Sequence, residues 1–375
     1  MIRFKTHKVS MLFSIIALAV AAIAVSAQER RPAEQDEPIK LKADLVTITA
    51  AVLDRDGRAV RSLKRDDFIV LEDGVEQKIS HFAPTDEAFT VMLMLDLSGS
   101  TRDEIALIKQ AAKKFLTELR KADRVGIIAF SGDVGLISDF TGDRAKLEAA
   151  IDQEEPPQGS SEFRFTRKTG TSFYDALLFA VQDSPFKQID GRKAIVCMSD
   201  GVDSTSKSTY REIAALVEKS GASVYFLELN TEAAMIRGLL KERTDPGYIN
   251  LSPTQLSRYY EEFDRDSILR NQHRDSIPPE TKREIAVGLY EIARRDMRQL
   301  AERAGGRVYP VSALTDLAAV YKQVAEDLRS QYSIGYYPQN DLHDGGWRAV
   351  KIEVRRQGTT VRARSGYWAP GRRNP

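Results

Sequence analysis

Three short stretches hold the residues whose types and spacing could do chemistry. Asp96-Leu97-Ser98-Gly99-Ser100 alternates a carboxylate with two hydroxyls, so all three can face one side of a loop while Gly99 permits a tight turn. Thr169-Gly170-Thr171-Ser172 offers a further hydroxyl in Thr171, and Ser199-Asp200-Gly201 offers a second carboxylate. Asp96, Ser98, Ser100, Thr171 and Asp200 together form an all-oxygen donor set. Hard oxygen donors suit Mg²⁺, which prefers six of them and keeps some water, with Mn²⁺ or Ca²⁺ as alternatives. Two formal negative charges leave such an ion electrophilic, so an acidic group from outside could complete its coordination. The competing reading is structural: the aspartates cap helices and the serines close turns.

Other chemistries fare worse. Leu97-Ser98-Gly99 is not a G-x-S-x-G elbow, and a nucleophilic serine needs an activating base. Beyond His7 the chain offers only His81, His273 and His343, none placed by a motif. The single cysteine, Cys197, excludes a disulfide framework and a zinc site of several cysteines, and it reads as filler in an apolar strand. Asp54-x-Asp56-Gly57 resembles half a calcium loop but lacks the later glutamate. Lys+Arg (55) and Asp+Glu (54) nearly cancel, which argues against nucleic acid as a partner.

The elements around these stretches must position them. Phe89–Leu95 is continuously apolar, as a strand buried on both faces would be. Ile105, Ile108, Ala112, Phe115, Leu116 and Leu119 follow at helical spacing. Strands are expected at 125–130, 134–140, 193–198, 222–229 and 307–311, with the 134–140 strand an antiparallel edge. Helices are expected between and after them, at 144–151, 172–181, 209–219, 283–304 and 313–330. This alternation predicts an α/β fold: a doubly wound, mostly parallel six-stranded sheet, with the three stretches at the C-terminal ends of its strands, where such sheets bind ligands. Asn230 to about Lys282 breaks the rhythm and reads as an insertion, helical around Pro253–Leu269, with no chemistry assigned.

Short β segments flank this core. About four strands are expected over 43–85, with 75–82 returning as a hairpin arm, and three over 331–370. Neither set can bury a sandwich core alone. The two ends are therefore expected to assemble into one all-β sandwich, with the α/β domain of 88–330 inserted between them. Tail aromatics are expected to fill it and the tail arginines, Arg362 and Arg364 among them, to face solvent.

Met1–Ala27 has the basic start, apolar run and small residues of a secretory signal, followed by a polar leader over 28–42. The alternative is an uncleaved N-terminal anchor. Either way the protein is expected to be exported, periplasmic or secreted, with no membrane span in the mature chain.

Asp96-x-Ser98-x-Ser100, the Gly170-Thr171 loop and Ser199-Asp200-Gly201 resemble the metal-ion-dependent adhesion site (MIDAS) of von Willebrand factor A-type (VWA) domains. Phe68-x-x-Leu71-Glu72-Asp73-Gly74, Tyr332–Pro338 and the closing Arg362–Pro370 are similar to segments of secreted bacterial VWFA-related proteins. The resemblance implies that Asp96, Ser98, Ser100, Thr171 and Asp200 hold a divalent cation, and that a protein partner supplies an Asp or Glu carboxylate. It implies binding or adhesion rather than turnover. The chain departs from the pattern in the Pro- and charge-rich stretch Gln153–Lys168. The alternatives are a structural envelope component whose metal only stabilises the fold, or a serine hydrolase.

Overall fold

The computed structural model describes residues 45–83, 88–101, 104–153, 168–189, 191–265, 276–311, 316–340 and 342–371. The expected signal segment and leader, most of Gln153–Lys168, and His273 lie outside these. The chain begins with β1 (Val46–Leu53), β2 (Phe68–Glu72), β3 (Val75–Gln77) and β4 (Ile79–Ala83). The α/β region follows with β5 (Phe89–Asp96), α1 (Ile105–Glu118), β6 (Arg124–Phe130), β7 (Val134–Thr141), α2 (Arg144–Gln153) and α3 (Phe173–Leu178). It continues through β8 (Arg192–Ser199), α4 (Tyr210–Ser220), β9 (Ser223–Leu229), α5 (Glu232–Leu239), α6 (Pro253–Phe263), α7 (Pro279–Arg303), β10 (Arg307–Val311) and α8 (Leu317–Arg329). Four strands close the chain: β11 (Gln331–Tyr336), β12 (Trp347–Val354), β13 (Thr360–Ala363) and β14 (Gly366–Trp368).

The central sheet runs β10-β9-β8-β5-β6-β7. All its pairings are parallel except that of the edge strand β7, which is antiparallel to β6. The uninterrupted apolar run of β5 is explained by its two faces. Val91, Leu93 and Leu95 enter one core with α1 and α8, while Met92 and Met94 enter the other with α3, α4 and α7. Cys197 is fully buried in the second core, as small filler would be.

Chain order reverses between β5 and β8. From β5 the chain steps to β6 on one side, and later returns through β8, β9 and β10 on the other. A crevice at such a reversal is where an open α/β sheet binds its ligand. Asp96 ends β5, and Ser199 ends β8.

Two four-stranded antiparallel sheets, β13-β1-β11-β4 and β14-β12-β2-β3, form the flanking sandwich. Each mixes strands from both ends of the chain, as the sequence requires. Their facing sides share one core, with Ile48, Phe68, Val70, Tyr332, Ile334 and Ile352 among its members. Two details differ from expectation. The segment 75–82 is two strands, because Gln77 pairs with Val70 in one sheet and Ile79 with Tyr336 in the other. The tail carries a fourth strand, β14.

Three quoted motifs converge here: the hydroxyls of Tyr336 and Tyr367 donate to Glu72 Oε2 at 2.8 and 2.9 Å. The arginines divide. Arg355 and Arg356 are exposed, whereas Arg362 turns inward to Asp327 at 2.6 Å and Arg364 donates to the Thr47 carbonyl at 2.8 Å.

The insertion is ordered by a core of its own. Met235 and Leu239 of α5, Leu256 and Tyr260 of α6, and Ile285, Leu289 and Tyr290 of α7 cluster around Val202, two residues past Asp200. Helix α6 begins with a capping box, Ser252 with Gln255, and Pro253 at its first turn. No helix among the described residues is long and apolar enough to cross a membrane.

Candidate metal centre

Burial at the β5 end dictates how the first loop closes. Asp96 is fully buried, so its oxygens must find donors. Oδ1 accepts from the Ser98 amide at 3.0 Å, and Oδ2 accepts from the Ser199 hydroxyl at 2.5 Å. The Thr101 hydroxyl donates to the carbonyls of Asp96 (3.0 Å) and Ser98 (3.2 Å). Alternation then does what the sequence requires: Leu97 enters the core, while the Ser98 and Ser100 hydroxyls lie 3.1 Å apart. Gly99 is not what makes the turn. Its φ is not positive, and a Cβ there would meet nothing within 4 Å. The Asp96 and Thr101 side chains close the loop instead.

Asp200, 1% exposed, stands on the neighbouring loop. Its Oδ1 accepts from the Val202 amide at 2.9 Å. Its Oδ2 accepts from the Thr231 hydroxyl at 2.5 Å and from the Tyr290 hydroxyl at 3.4 Å. Ser100 lies near enough to this carboxylate to lower its proton affinity, which links the two loops.

The third loop is held to the same edge. Ser172 N donates to Ser131 O at 2.6 Å, next to the end of β6. Thr171 N donates to Ser204 Oγ at 2.8 Å, and Thr171 O accepts from the amides of Ser204 (2.9 Å) and Thr205 (3.1 Å). Gly170 is required there: its φ is +111°, and a Cβ would lie 2.4 Å from Thr205 Cγ2. The structure thus brings Asp96, Ser98 and Ser100 together on one loop, with Asp200 near enough for its charge to act on Asp96. Thr171 is buried on the adjoining loop, and its hydrogen bonds run to Ser204 and Thr205 rather than to those four.

The electrostatics point one way. Burial, then the charge of Asp200, pushes the Asp96 carboxyl from 3.8 up to about 7, against the hydrogen bonds from Ser199 and Ser98. Burial likewise raises Asp200, opposed by Thr231, Val202, Ser100 and Tyr290. Among the described residues, every donor to these two carboxylates is a neutral hydroxyl or amide. Two neighbouring buried anions without a cationic side chain favour an added positive charge. The described residues hold no group of three or more His, Cys, Asp or Glu suited to a metal, so a cation at this edge would need hydroxyl oxygens beside the two carboxylates. A hard divalent cation fits this donor set.

Sequence reasoning missed several supporting residues. Ser199 was part of a quoted motif but had no role; it orients Asp96. Thr231 and Tyr290 orient Asp200 from the insertion and α7, too far along the chain for any local signal. Arg258 of α6 bridges to Asp203 at 2.8 Å and lies 4.4 Å over the Tyr174 ring, whose hydroxyl donates to Asp296 at 2.6 Å. Burial raises the Asp203 carboxyl, with Arg258 pulling the other way.

Residues 91–202 match the family of the von Willebrand factor type A domain. The chain carries a VWA domain. The match spans β5 through β8 and includes all five candidate site residues. Among solved structures, the chain is similar to an aerotolerance-related membrane protein from Bacteroides fragilis at 16% identity, over 64% of this chain and 98% of that one, with a TM-score of 0.38. It is similar to a von Willebrand factor type A protein from Catenulispora acidiphila at 10% identity, over 85% and 71% of the two chains, with a TM-score of 0.41. Proximal thread matrix protein 1 from the mussel byssus, with a zinc-occupied MIDAS motif, aligns at 12% identity, over 67% of this chain and 47% of that one, with a TM-score of 0.40. This chain thus spans about half of the mussel protein. No curated protein matches the sequence.

Proposed function

We propose that the VWA domain binds a divalent cation, Mg²⁺ by its donor set, and through it captures a protein partner bearing an Asp or Glu. One observation carries this reading: Asp96 and Asp200 are buried together, close enough for the charge of Asp200 to raise the proton affinity of Asp96, and their donors are neutral. Asp96, Ser98, Ser100 and Asp200 would hold the ion, with Thr171 joining from the adjoining loop. The bound ion would supply a Lewis-acidic centre for an oxygen ligand. The chain's own residues prepare for it: Ser199 and the Ser98 amide orient Asp96, Thr101 fixes the loop, and the sheet supplies rigidity. A binding role without turnover is part of this proposal, and the surroundings of the serines are compatible with it. The Ser98 hydroxyl pairs with that of Ser100, and His81 lies in β4 of the sandwich, away from this edge. Export to the periplasm or beyond rests on the Met1–Ala27 segment alone.

The test is thermal. Saturating Mg²⁺ or Mn²⁺ should raise the melting temperature of the chain by binding the folded state; at 100 times Kd that is about 2.7 kcal/mol. Asp96→Ala combined with Ser98→Ala should abolish the rise. An unchanged rise in the double variant would remove the metal from this site. Partner capture from envelope extracts that persists in chelator would favour the structural alternative.

A further inference from the structure

The insertion carries a feature that its role as packing does not explain. Thr231 occupies the N-cap position of α5, where a threonine hydroxyl ordinarily accepts from the first-turn amides; here it makes no cap hydrogen bond. The hydroxyl instead donates to Asp200 Oδ2 at 2.5 Å. It also lies 2.7 Å from the hydroxyl of Tyr290, in the middle of α7, which itself reaches Asp200 Oδ2 at 3.4 Å. Thr231 is 4% and Tyr290 1% exposed. A threonine hydroxyl has one proton. With that proton on Asp200, the single Tyr290 proton has two acceptors, the Thr231 oxygen at 2.7 Å and Asp200 Oδ2 at 3.4 Å, and the shorter contact gives a relay from Tyr290 to Thr231 to the carboxylate. Such chains polarise each bond in the same sense.

We propose that Thr231 and Tyr290 are positioning residues of the metal centre, fixing the rotation of the Asp200 carboxylate so that it can serve the ion. This rests on the metal-binding reading above. The Val202 amide holds Oδ1, and the relay holds Oδ2, so the plane of the carboxylate is set from both sides. The two anchors come from different elements. Val202 belongs to the motif-bearing loop, whereas Thr231 and Tyr290 belong to the insertion and the helix it covers. The cation affinity of this chain is therefore tied to a segment outside the matched 91–202 stretch. Partners that orient a metal's ligands commonly change affinity 10- to 100-fold when removed.

Two variants test the relay. Thr231→Val keeps the shape and removes the hydroxyl, and it forfeits no cap bond because none exists. Tyr290→Phe keeps the ring packing and removes only the terminal donor, so it serves if the first variant fails to fold. Mn²⁺ affinity is read by titration calorimetry, alongside the metal-free melting temperature. Thr231→Val should weaken Mn²⁺ at least about tenfold, Tyr290→Phe by less, and Thr231→Ser should restore binding to near wild type. Wild-type-like affinity in both Thr231→Val and Tyr290→Phe overturns the relay, as does a serine variant that folds yet binds no better than valine. If the wild-type chain takes up no Mn²⁺, the metal reading falls first and the relay with it, a result distinct from normal uptake by the variants.

Discussion

Two sets of buried carboxylates in the α/β region are treated differently. Near the junction with the sandwich, Asp327 of α8 accepts from the Tyr309 hydroxyl and pairs with Arg362 of β13 at 2.6 Å. Both side chains are mostly buried, and the charge is met within the protein. At the edge where β5 and β8 end, Asp96 and Asp200 meet only hydroxyls and amides. One buried anion is a fastener that joins two parts of the fold. The other two form an incomplete charge arrangement, and a protein interior tolerates that best where something else completes it. The contrast separates the candidate metal centre from structural ion pairs better than burial does alone.

Breaking the fastener should have the largest effect. Arg362→Ala leaves Asp327 without its cation, and removing one member of a buried pair costs about 3 kcal/mol or more. Urea denaturation should show a lowered midpoint that Mg²⁺ does not restore selectively, since the loss lies away from the metal edge. A variant as stable as wild type would erase the distinction drawn between the two places.

The next effect depends on pH. The Asp96 carboxyl is raised from 3.8 to about 7 in the folded chain. A raised acid favours its protonated form in the fold, so this group's contribution to metal-free stability is fully present below about pH 4 and is lost as pH rises toward 7. Cation uptake runs the opposite way, because protons and metal compete for the same oxygens. The melting-temperature rise on adding Mg²⁺ should therefore be larger at pH 8 than at pH 5.5. Equal rises at the two pH values would mean that the carboxylates do not gate the ion.

The smallest effect is a control on the surface. Lys351 and Glu353 approach within 2.6 Å but are 72% and 42% exposed. Lys351→Ala should change stability by less than about 0.5 kcal/mol and leave the Mg²⁺ response intact. A larger loss would show that proximity, rather than burial, sets the energy of charge pairs in this molecule.

Much of the architecture was legible because its signals are local. The apolar run of β5 and the stripe of α1 each declare a period, and Asp96, Ser98 and Ser100 are near neighbours on one loop. The α6 helix was expected around Pro253–Leu269, and it runs over Pro253–Phe263. The break at Lys78 was not legible, since no turn residue in Val75–Phe82 marks where the chain crosses from one sheet to the other. Arg362 was expected in solvent because its partner, Asp327, lies 35 residues away.

Residue order alone determined the alternation of strand and helix, the hydroxyl-and-carboxylate loops at the strand ends, and the need for the two terminal β segments to share one core. Periodicity and turn chemistry act over a few residues, so they can be read directly. Only the tertiary structure decided that Thr231 and Tyr290, 31 and 90 residues from Asp200, would orient its carboxylate. It also decided which buried acids find an arginine and which face only neutral donors. Those outcomes depend on which side chains share a desolvated space, and that is set by how the elements pack.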